Sequence, residues 1–389
     1  MIIESDDRPL VLVFRTSLLP LSETFIRNQV LAFRRWRPML IGLRYTGGLE
    51  LSQLSCQLLS SWNLRPIPNF LRALLRELNL APPGVRSYLR SLNASVAHVH
   101  FGTDLVALWP MLNRLDVPIL TTLHGYDINT HAEHWRRSWR ASRKYPQRLL
   151  EISRDSRVRF VAVSEAIKRR AIEFGLPEER IFVRYIGVDI EQFAPSGLPM
   201  RERPRRILFV GRMVEKKGPS ILIQAFAEVR RHVPDAELVM IGDGPLLPGC
   251  RALAESLQLP VQFLAAVPNA QVQQEMRQAR VFCLPSIVAA NGDAEGLGIA
   301  IVEAQAAGVP VVTSSRGGVG EAIEDGVTGF GFAESDVGAL SAALIRVLGD
   351  DDLAAEMSTA SRERACRLFD LQKCTGQLES LYDQSALRR

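Results

Sequence analysis

The sequence has few cysteines, no long apolar run and no basic leader. Cys56, Cys250, Cys283, Cys366 and Cys374 are an odd set without C-x-x-C spacing. That argues against a disulfide framework and a zinc site, and fits a reducing compartment. Apolar stretches such as Ile207–Val210 and Leu238–Ile241 fall far short of the ~20 residues of a membrane-spanning helix. The N-terminus, Met1-Ile2-Ile3-Glu4-Ser5-Asp6-Asp7, is acidic where a secretory leader is basic. No internal repeat or low-complexity tract is visible, and no G-x-G-x-x-G follows an early strand. These absences speak against secreted, disulfide-stapled and integral membrane proteins, and the chain is expected in the cytoplasm.

What is there is an ordinary globular mix of 389 residues, 47% hydrophobic and 23% charged. At roughly 150 residues per domain this suggests two or three domains, two being the simpler reading. The net charge of +5 is unevenly spread. Through Pro195 there are 27 Lys and Arg against 18 Asp and Glu, a net +9, and the remainder is net −4. The first half is therefore expected to meet something anionic, either nucleic acid or a membrane surface. Nucleic acid is the weaker candidate, because no aromatic-interleaved basic platform, zinc-finger spacing or recognition helix is seen. Between Leu64 and Leu92 the stretch Phe70–Arg76, with Arg86 and Arg90 beyond it, is basic and amphipathic. It reads either as an interfacial helix for anionic lipid or as a surface helix with leucines inward. The most basic run, from Arg136 to Arg148, is by default a solvated helix face.

Short β-branched runs alternate with amphipathic stretches. The expected strands are Leu10–Phe14, Met39–Leu43, Val96–Val99, Ile119–Leu123, Arg159–Val163 and Ile181–Tyr185, then Ile207–Val210, Glu237–Ile241, Val261–Leu264, Val281–Leu284 and Val309–Val312. Nearly continuous apolar strands between helices imply parallel sheets covered on both faces. The polar stretch 194–206, with its Pro and Gly, divides the two series. The pattern is α/β: two doubly wound, Rossmann-like domains, 1–198 and 199–370, and a terminal helix over 371–389. Facing each other, such domains would form a cleft lined by loops at the strands' carboxyl ends.

Two segments carry the chemistry. Ile207–Val210 runs into Gly211-Arg212-Met213-Val214-Glu215-Lys216-Lys217-Gly218 and then a helix over Ser220–Arg231. Glycines that permit close backbone approach, fixed charge from Arg212 and Lys217, and a helix N-terminus together make an anion site. After Val281–Leu284 comes Asn291-Gly292-Asp293-Ala294-Glu295-Gly296-Leu297-Gly298-Ile299, leading into a helix that carries Glu303. There the N–H groups of Gly298 and Ile299 can take phosphate oxygens, and Glu303 can accept from vicinal hydroxyls such as those of a ribose. Pro118–Leu123 is a strand that delivers His124-Gly125-Tyr126-Asp127 to its carboxyl end, and His98-Val99-His100 ends another. Asp350-Asp351-Asp352 precedes the helical Leu353–Met357 and reads as helix capping rather than a metal motif. Ser22 is the expected N-cap of the helix after the first strand.

Glu295 and Glu303, spaced E-x7-E beside G-R-x-x-x-x-K-G, resemble the retaining glycosyltransferases of family four, which have the GT-B fold. Val161–Ser164, Gly187-Val188-Asp189 with Phe193, Pro285-Ser286, Ala304–Pro310, and Glu321 with Asp325-Gly326 and Thr328-Gly329 extend the resemblance along nearly the whole chain. The Ser22-Glu23-Thr24-Phe25 segment is similar to the branch that builds bacterial exopolysaccharides such as colanic acid. It replaces a glycine-rich loop common elsewhere in the family.

The resemblance implies sugar transfer from a nucleotide diphosphate sugar (UDP- or GDP-linked) with retained anomeric configuration. The acceptor would be a glycan or a polyprenyl-linked glycan, handled at the inner face of the cytoplasmic membrane. Arg212, Lys217, Gly298 and Ile299 would hold the diphosphate and Glu303 the ribose. Asn291, Asp293, Gly296 and Leu297 would line the sugar, and His124 and Glu295 would be the catalytic pair. Glu23, His100 and Asp127 are placed on the acceptor side, the C-terminal helix is expected to cross back onto the first domain, and no metal or cofactor is required. Two rivals stay open: a non-hydrolysing nucleotide-sugar epimerase of the same fold, and a non-catalytic nucleotide-sugar-binding protein.

Overall fold

A computed structural model describes residues 6–45, 47–59, 84–138 and 140–387. The stretch Phe70–Arg76 lies outside them. The chain divides into two compact units, Met1–Tyr185 with Leu371–Arg389, and Ile186–Asp370. The changeover comes ahead of the polar stretch 194–206. That stretch belongs with the second unit because Arg277 donates to the Ala194 and Gln192 carbonyls at 3.0 and 2.7 Å.

Among its described residues the first unit carries a parallel sheet of seven strands: β1 Leu10–Ser17, β2 Arg37–Arg44, β3 Cys56–Leu58, β4 Val96–His100, β5 Ile119–Leu123, β6 Val158–Ala162 and β7 Ile181–Val183. Their order is β3-β2-β1-β4-β5-β6-β7. Val13 sits between Leu40 and His98 in register, so the apolar run of β1 is covered on both edges and both faces. Helix Thr24–Ala32 begins without a side-chain cap, after a short turn over Leu21–Glu23. Ser22 therefore does not cap it as expected; the turn moves the N-cap position one residue on, to Glu23.

The C-terminal helix Leu371–Ala386 packs in this first unit, where Leu378, Leu381 and Tyr382 join a core with Val11, Val13, Trp36 and Val96. Glu379, buried, accepts the backbone N–H groups of Arg34, Arg35 and Trp36 at 2.9, 2.7 and 3.0 Å. A tight turn into β2 is thereby satisfied from 343 residues or more away in sequence.

The second unit repeats the plan with six strands among its described residues: β8 Arg206–Val210, β9 Glu237–Ile241, β10 Val261–Leu264, β11 Val281–Leu284, β12 Val311–Ser314 and β13 Gly329–Phe332, ordered β10-β9-β8-β11-β12-β13. Winding reverses between β1 and β4 in one unit and between β8 and β11 in the other. In such sheets the crevice for a ligand opens beyond the carboxyl ends at that reversal. The loops 211–218 and 285–298, which follow β8 and β11, meet there. No helix among the described residues is long and apolar enough to cross a membrane.

Candidate active site

In the second unit, β8 ends at Val210 and the chain turns through Gly211 and a 3-10 turn over Glu215–Lys217. Gly218 then adopts φ +61°, and a Cβ there would come within 2.0 Å of the Pro285 carbonyl oxygen. Only glycine allows this approach, which seats the loop after β8 against the loop after β11. The junction is stitched twice more: Ile287 N–H donates to the Lys216 carbonyl at 3.0 Å, and Ala290 N–H to Glu215 Oε1 at 3.1 Å. Pro219 opens helix Pro219–His232, where its missing N–H costs nothing.

Four charged groups gather on this frame. Lys217 Nζ lies 2.9 Å from Glu295 Oε2, while Lys216 Nζ lies 3.1 Å from Asp293 Oδ2 and 3.5 Å from Glu295 Oε1. Burial alone would raise the Glu295 carboxyl, but Lys217 and Lys216 outweigh it and hold it at about 2. For Asp293 burial wins, and its carboxyl is raised despite Lys216. Arg212 is exposed, and its guanidinium has no partner among the described residues.

Helix Ile299–Ala306 starts after Gly298, whose φ is +79°. As at any helix start, the first N–H groups lack intrahelical acceptors, and those of Gly298 and Ile299 find none among the described residues. The carboxyl of Glu303, in the second turn of this helix, has no hydrogen-bond partner among the described residues. Burial pushes its carboxyl up to about 8, with Lys217 opposing. The Asn291 side chain accepts the Asp293 N–H at 3.0 Å and so shapes its own loop. Leu297 needs correcting: its side chain is buried in the core, so only its backbone can face a sugar. The Asp triplet acts in capping and packing. Asp350 accepts Leu353 N–H at 3.0 Å, and Asp351 pairs with the buried Arg280.

In the first unit, His124 follows β5 with its ring 4.3 Å from that of Phe101 and 5.2 Å from that of Phe25. Its Nε2 lies 3.1 Å from His100 Nδ1, and two positions back along β4 His98 bonds Tyr382 and, at 2.7 Å, Thr122 Oγ1. Burial drives all three imidazoles toward the neutral form, His98 to about 3. His100 is itself buried, and its Nε2 has no partner among the described residues.

Two acceptor-side expectations meet committed groups. Both Glu23 carboxylate oxygens are taken by Arg15, which also pairs with Asp104 at the end of β1. Asp127, fully buried, accepts the N–H groups of Gly102 at 2.9 Å, His124 at 3.1 Å and Gly125 at 2.9 Å. It caps helix Gly102–Leu112 and fixes the loop that presents His124. Neither carboxylate is free for an acceptor, because each satisfies buried donors of its own unit. Arg86 and Arg90 likewise donate to the Pro110 and Arg114 carbonyls near that helix's C-terminal end. Sequence reasoning missed Lys216, Arg15 and Tyr382; of these only Lys216 left a trace, as the second cation of a Lys-Lys pair.

Two Rossmann-like parallel sheets, each with loops gathered at its reversal point, are the architecture of GT-B glycosyltransferases. The family models for glycosyl transferases group 1 and Glycosyltransferase Family 4 match residues 191–364 and 23–192. An amylovoran biosynthesis glycosyltransferase of Erwinia amylovora is 30% identical, with 79% of this chain and 74% of that protein covered. A GDP-mannose-dependent phosphatidylinositol monomannoside mannosyltransferase of Mycolicibacterium smegmatis is 32% identical over 74% of this chain and 77% of its own. A provisionally named colanic acid biosynthesis glycosyltransferase of Salmonella typhimurium is 30% identical over 74% and 70%. Among solved structures, sucrose-phosphate synthase from Thermosynechococcus elongatus superposes with TM-score 0.77 at 20% identity, covering 98% of this chain and all of that one. HepE of Anabaena, in complex with UDP and glucose, gives 0.76 at 21% identity, covering 97% of this chain and all of its own. The chain belongs to glycosyltransferase family four.

Proposed function

We propose that this glycosyltransferase is retaining and metal-independent. It moves a sugar from a UDP- or GDP-sugar to a glycan or lipid-linked glycan during cell-surface or exopolysaccharide synthesis, at the cytoplasmic face of the membrane. The observation that carries this reading is the second unit's loop pair. Lys217 pairs with Glu295 across it, the loop after β8 also carries Arg212, whose guanidinium has no partner among the described residues, and the loop after β11 ends at the open N–H groups of Gly298 and Ile299. The relatives' names, amylovoran and colanic acid biosynthesis glycosyltransferases and a GDP-mannose-dependent phosphatidylinositol monomannoside mannosyltransferase, support the substrate class.

Breaking the bond between the anomeric carbon and the diphosphate oxygen leaves the electron pair on that oxygen. Arg212, Lys217 and the helix start stabilise the charge as it develops. The acceptor hydroxyl oxygen bonds to the anomeric carbon from the same face, and its proton passes to a phosphate oxygen of the leaving group. Glu295, ionised beside two lysines, accepts from donor sugar hydroxyls. Glu303 takes the ribose hydroxyls, and His124 is assigned to the reacting sugar.

The test is nucleoside diphosphate release from UDP- and GDP-sugars with and without acceptor, with the product anomer read by NMR. Acceptor-dependent release and a retained anomer are expected, unchanged by a chelator. Epimerised donor without acceptor-dependent release would favour the isomerase reading. Glu295→Ala should cut transfer by ~100-fold or more, since it removes a group aimed at the reacting sugar; near-normal turnover would refute the assigned role.

A further inference from the structure

Lys216 and Lys217 share one carboxylate, yet they are held differently. Among the described residues Lys217 has a single ion-pair partner, Glu295, at 2.9 Å, and its stem lies over Gly211, where an added Cβ would meet Cδ and Cε at 3.5 Å. Lys216 is tied at both ends. Its ammonium spans Asp293 at 3.1 Å and Glu295 at 3.5 Å, and its carbonyl accepts Ile287 N–H at 3.0 Å. The neighbouring Glu215 side chain holds Ala290 N–H, so the turn that carries Lys216 is fixed to the loop that carries its partners. A diphosphate brings more negative charge than one carboxylate, so it can draw away the singly held lysine but not the doubly held one.

We infer that Lys216 is a positioning residue that keeps Glu295 ion-paired and in place when Lys217 turns to the donor diphosphate. The inference rests on the proposed donor site. It gives the Lys-Lys pair two tasks: Lys217 travels with the phosphate, and Lys216 stays with the sugar-facing carboxylate. Without Lys216, Glu295 would stand beside Asp293 and a bound diphosphate with no counter-charge once Lys217 had moved. Those neighbours favour protonation of Glu295, and a protonated Glu295 presents one acceptor fewer to the sugar. The groups that act on Glu295 are Lys216, Lys217 and Asp293, with Glu303 reached by the charge of Lys217.

The test compares the wild type with Lys216→Met, Lys216→Arg and Lys217→Met. The Glu295 carboxyl is followed by 13C NMR as pH is lowered, assigned by difference against Glu295→Gln, with and without saturating UDP, GDP or pyrophosphate. In free Lys216→Met, Lys217 still pairs with Glu295 and the carboxylate stays ionised. Adding ligand should then raise its midpoint by about one pH unit or more, the size of shift a lost counter-ion produces. Wild type, Lys216→Arg and Lys217→Met should show no such ligand-dependent rise, because a cation at 216 remains. In transfer assays Lys216→Met should lower kcat with donor KM within about twofold. The acid limb of kcat should move up while that of kcat/KM moves less, since only the former reports the complex. Binding of any of the three ligands with an unmoved Glu295 midpoint in Lys216→Met overturns this inference alone. Binding of none overturns the donor-site reading with it.

Discussion

His100 Nδ1 lies 3.1 Å from His124 Nε2, so one of these nitrogens carries a proton and the other a lone pair. The two rings stack with centroids 5.3 Å apart. A second imidazolium in this space would meet like charge without water, and His98 stands only 4.5 Å from His100, ring to ring. The interior of the first unit is thus built for neutral histidines.

That arrangement makes acid stability a test of the fold. The unfolded chain's histidines titrate near ~6.5, whereas burial holds His98 at about 3 and the other two well below their usual value. Below about pH 6.5 the unfolded state therefore binds more protons than the folded one, and stability of this unit falls as pH drops. Asp127, raised to about 6 by burial, works the other way and offsets part of the loss below pH 6. All five tryptophans precede residue 140 in the sequence, and the described ones, Trp36, Trp109 and Trp135, lie in the first unit, so tryptophan fluorescence reports its unfolding selectively. The urea midpoint is expected to drop between pH 7.5 and 5.5, and His98→Gln should flatten that slope. A pH-independent midpoint would show that the histidines titrate normally.

Glu379 concentrates the contribution of the C-terminal helix in one carboxylate. Its Oε1 serves three backbone N–H groups at the turn into β2, and no apolar replacement can do so. Glu379→Ala should cost at least ~2 kcal/mol through the unpaired donors. For a unit of this size that corresponds to a fall of about 4–8 °C in Tm, read by the same fluorescence. Ending the chain at Asp370 should abolish the cooperative transition, since Leu378, Leu381 and Tyr382 leave the core together. An unchanged Tm in Glu379→Ala would mean that water replaces the carboxylate at little cost.

Arg212 and Lys217 should separate by their apo contacts. The Arg212 guanidinium bonds nothing among the described residues, so Arg212→Ala should leave Tm unchanged and weaken UDP or GDP binding. A lost charge-assisted bond of ~1.5–3 kcal/mol corresponds to about 10- to 150-fold in Kd. Lys217→Ala should weaken binding by a similar factor and also disturb Glu295, its partner in the free protein. Calorimetric titration of both variants checks this. Undiminished affinity in Arg212→Ala would place the diphosphate elsewhere.

Much of this was legible in sequence where the physics is local. Ile119–Leu123 and Val281–Leu284 are strands as expected, because short runs of apolar and β-branched residues next to Pro or His specify buried parallel strands. The loop after β8 could be placed because Gly211 and Gly218 bracket it. Cys56–Leu58 and Gly329–Phe332 were not anticipated, since strands of three and four residues with glutamine or alternating glycines owe their form to pairing with β2 and β12. Long-range partners decided the rest. Lys216 acquires its meaning from Asp293, 77 residues on, and Glu23 from Arg15 and the turn before its helix. Leu297, in a polar glycine loop, reads as a ligand contact until the helix it precedes turns it inward.

Glu303 yields the last prediction. Burial holds its carboxyl up at about 8, so at pH 7 it is mostly protonated in the free protein. Ribose hydroxyls donate hydrogen bonds and so favour the ionised form, which means that a bound nucleotide must lower this carboxyl's pKa and release a proton. Binding should therefore strengthen as pH rises from 6.5 toward 8. At pH 7 the calorimetric enthalpy should depend on the buffer's ionisation heat, with up to one proton released. Glu303→Gln should lose that dependence while keeping the diphosphate contacts, so its Kd should rise by about tenfold, the worth of one hydrogen bond. The same variant should raise Tm of the second unit at pH 9, because the wild type must there hold a buried carboxylate that the unfolded chain ionises freely. Nucleotide binding with no proton release at pH 7 would mean that Glu303 does not meet the ribose.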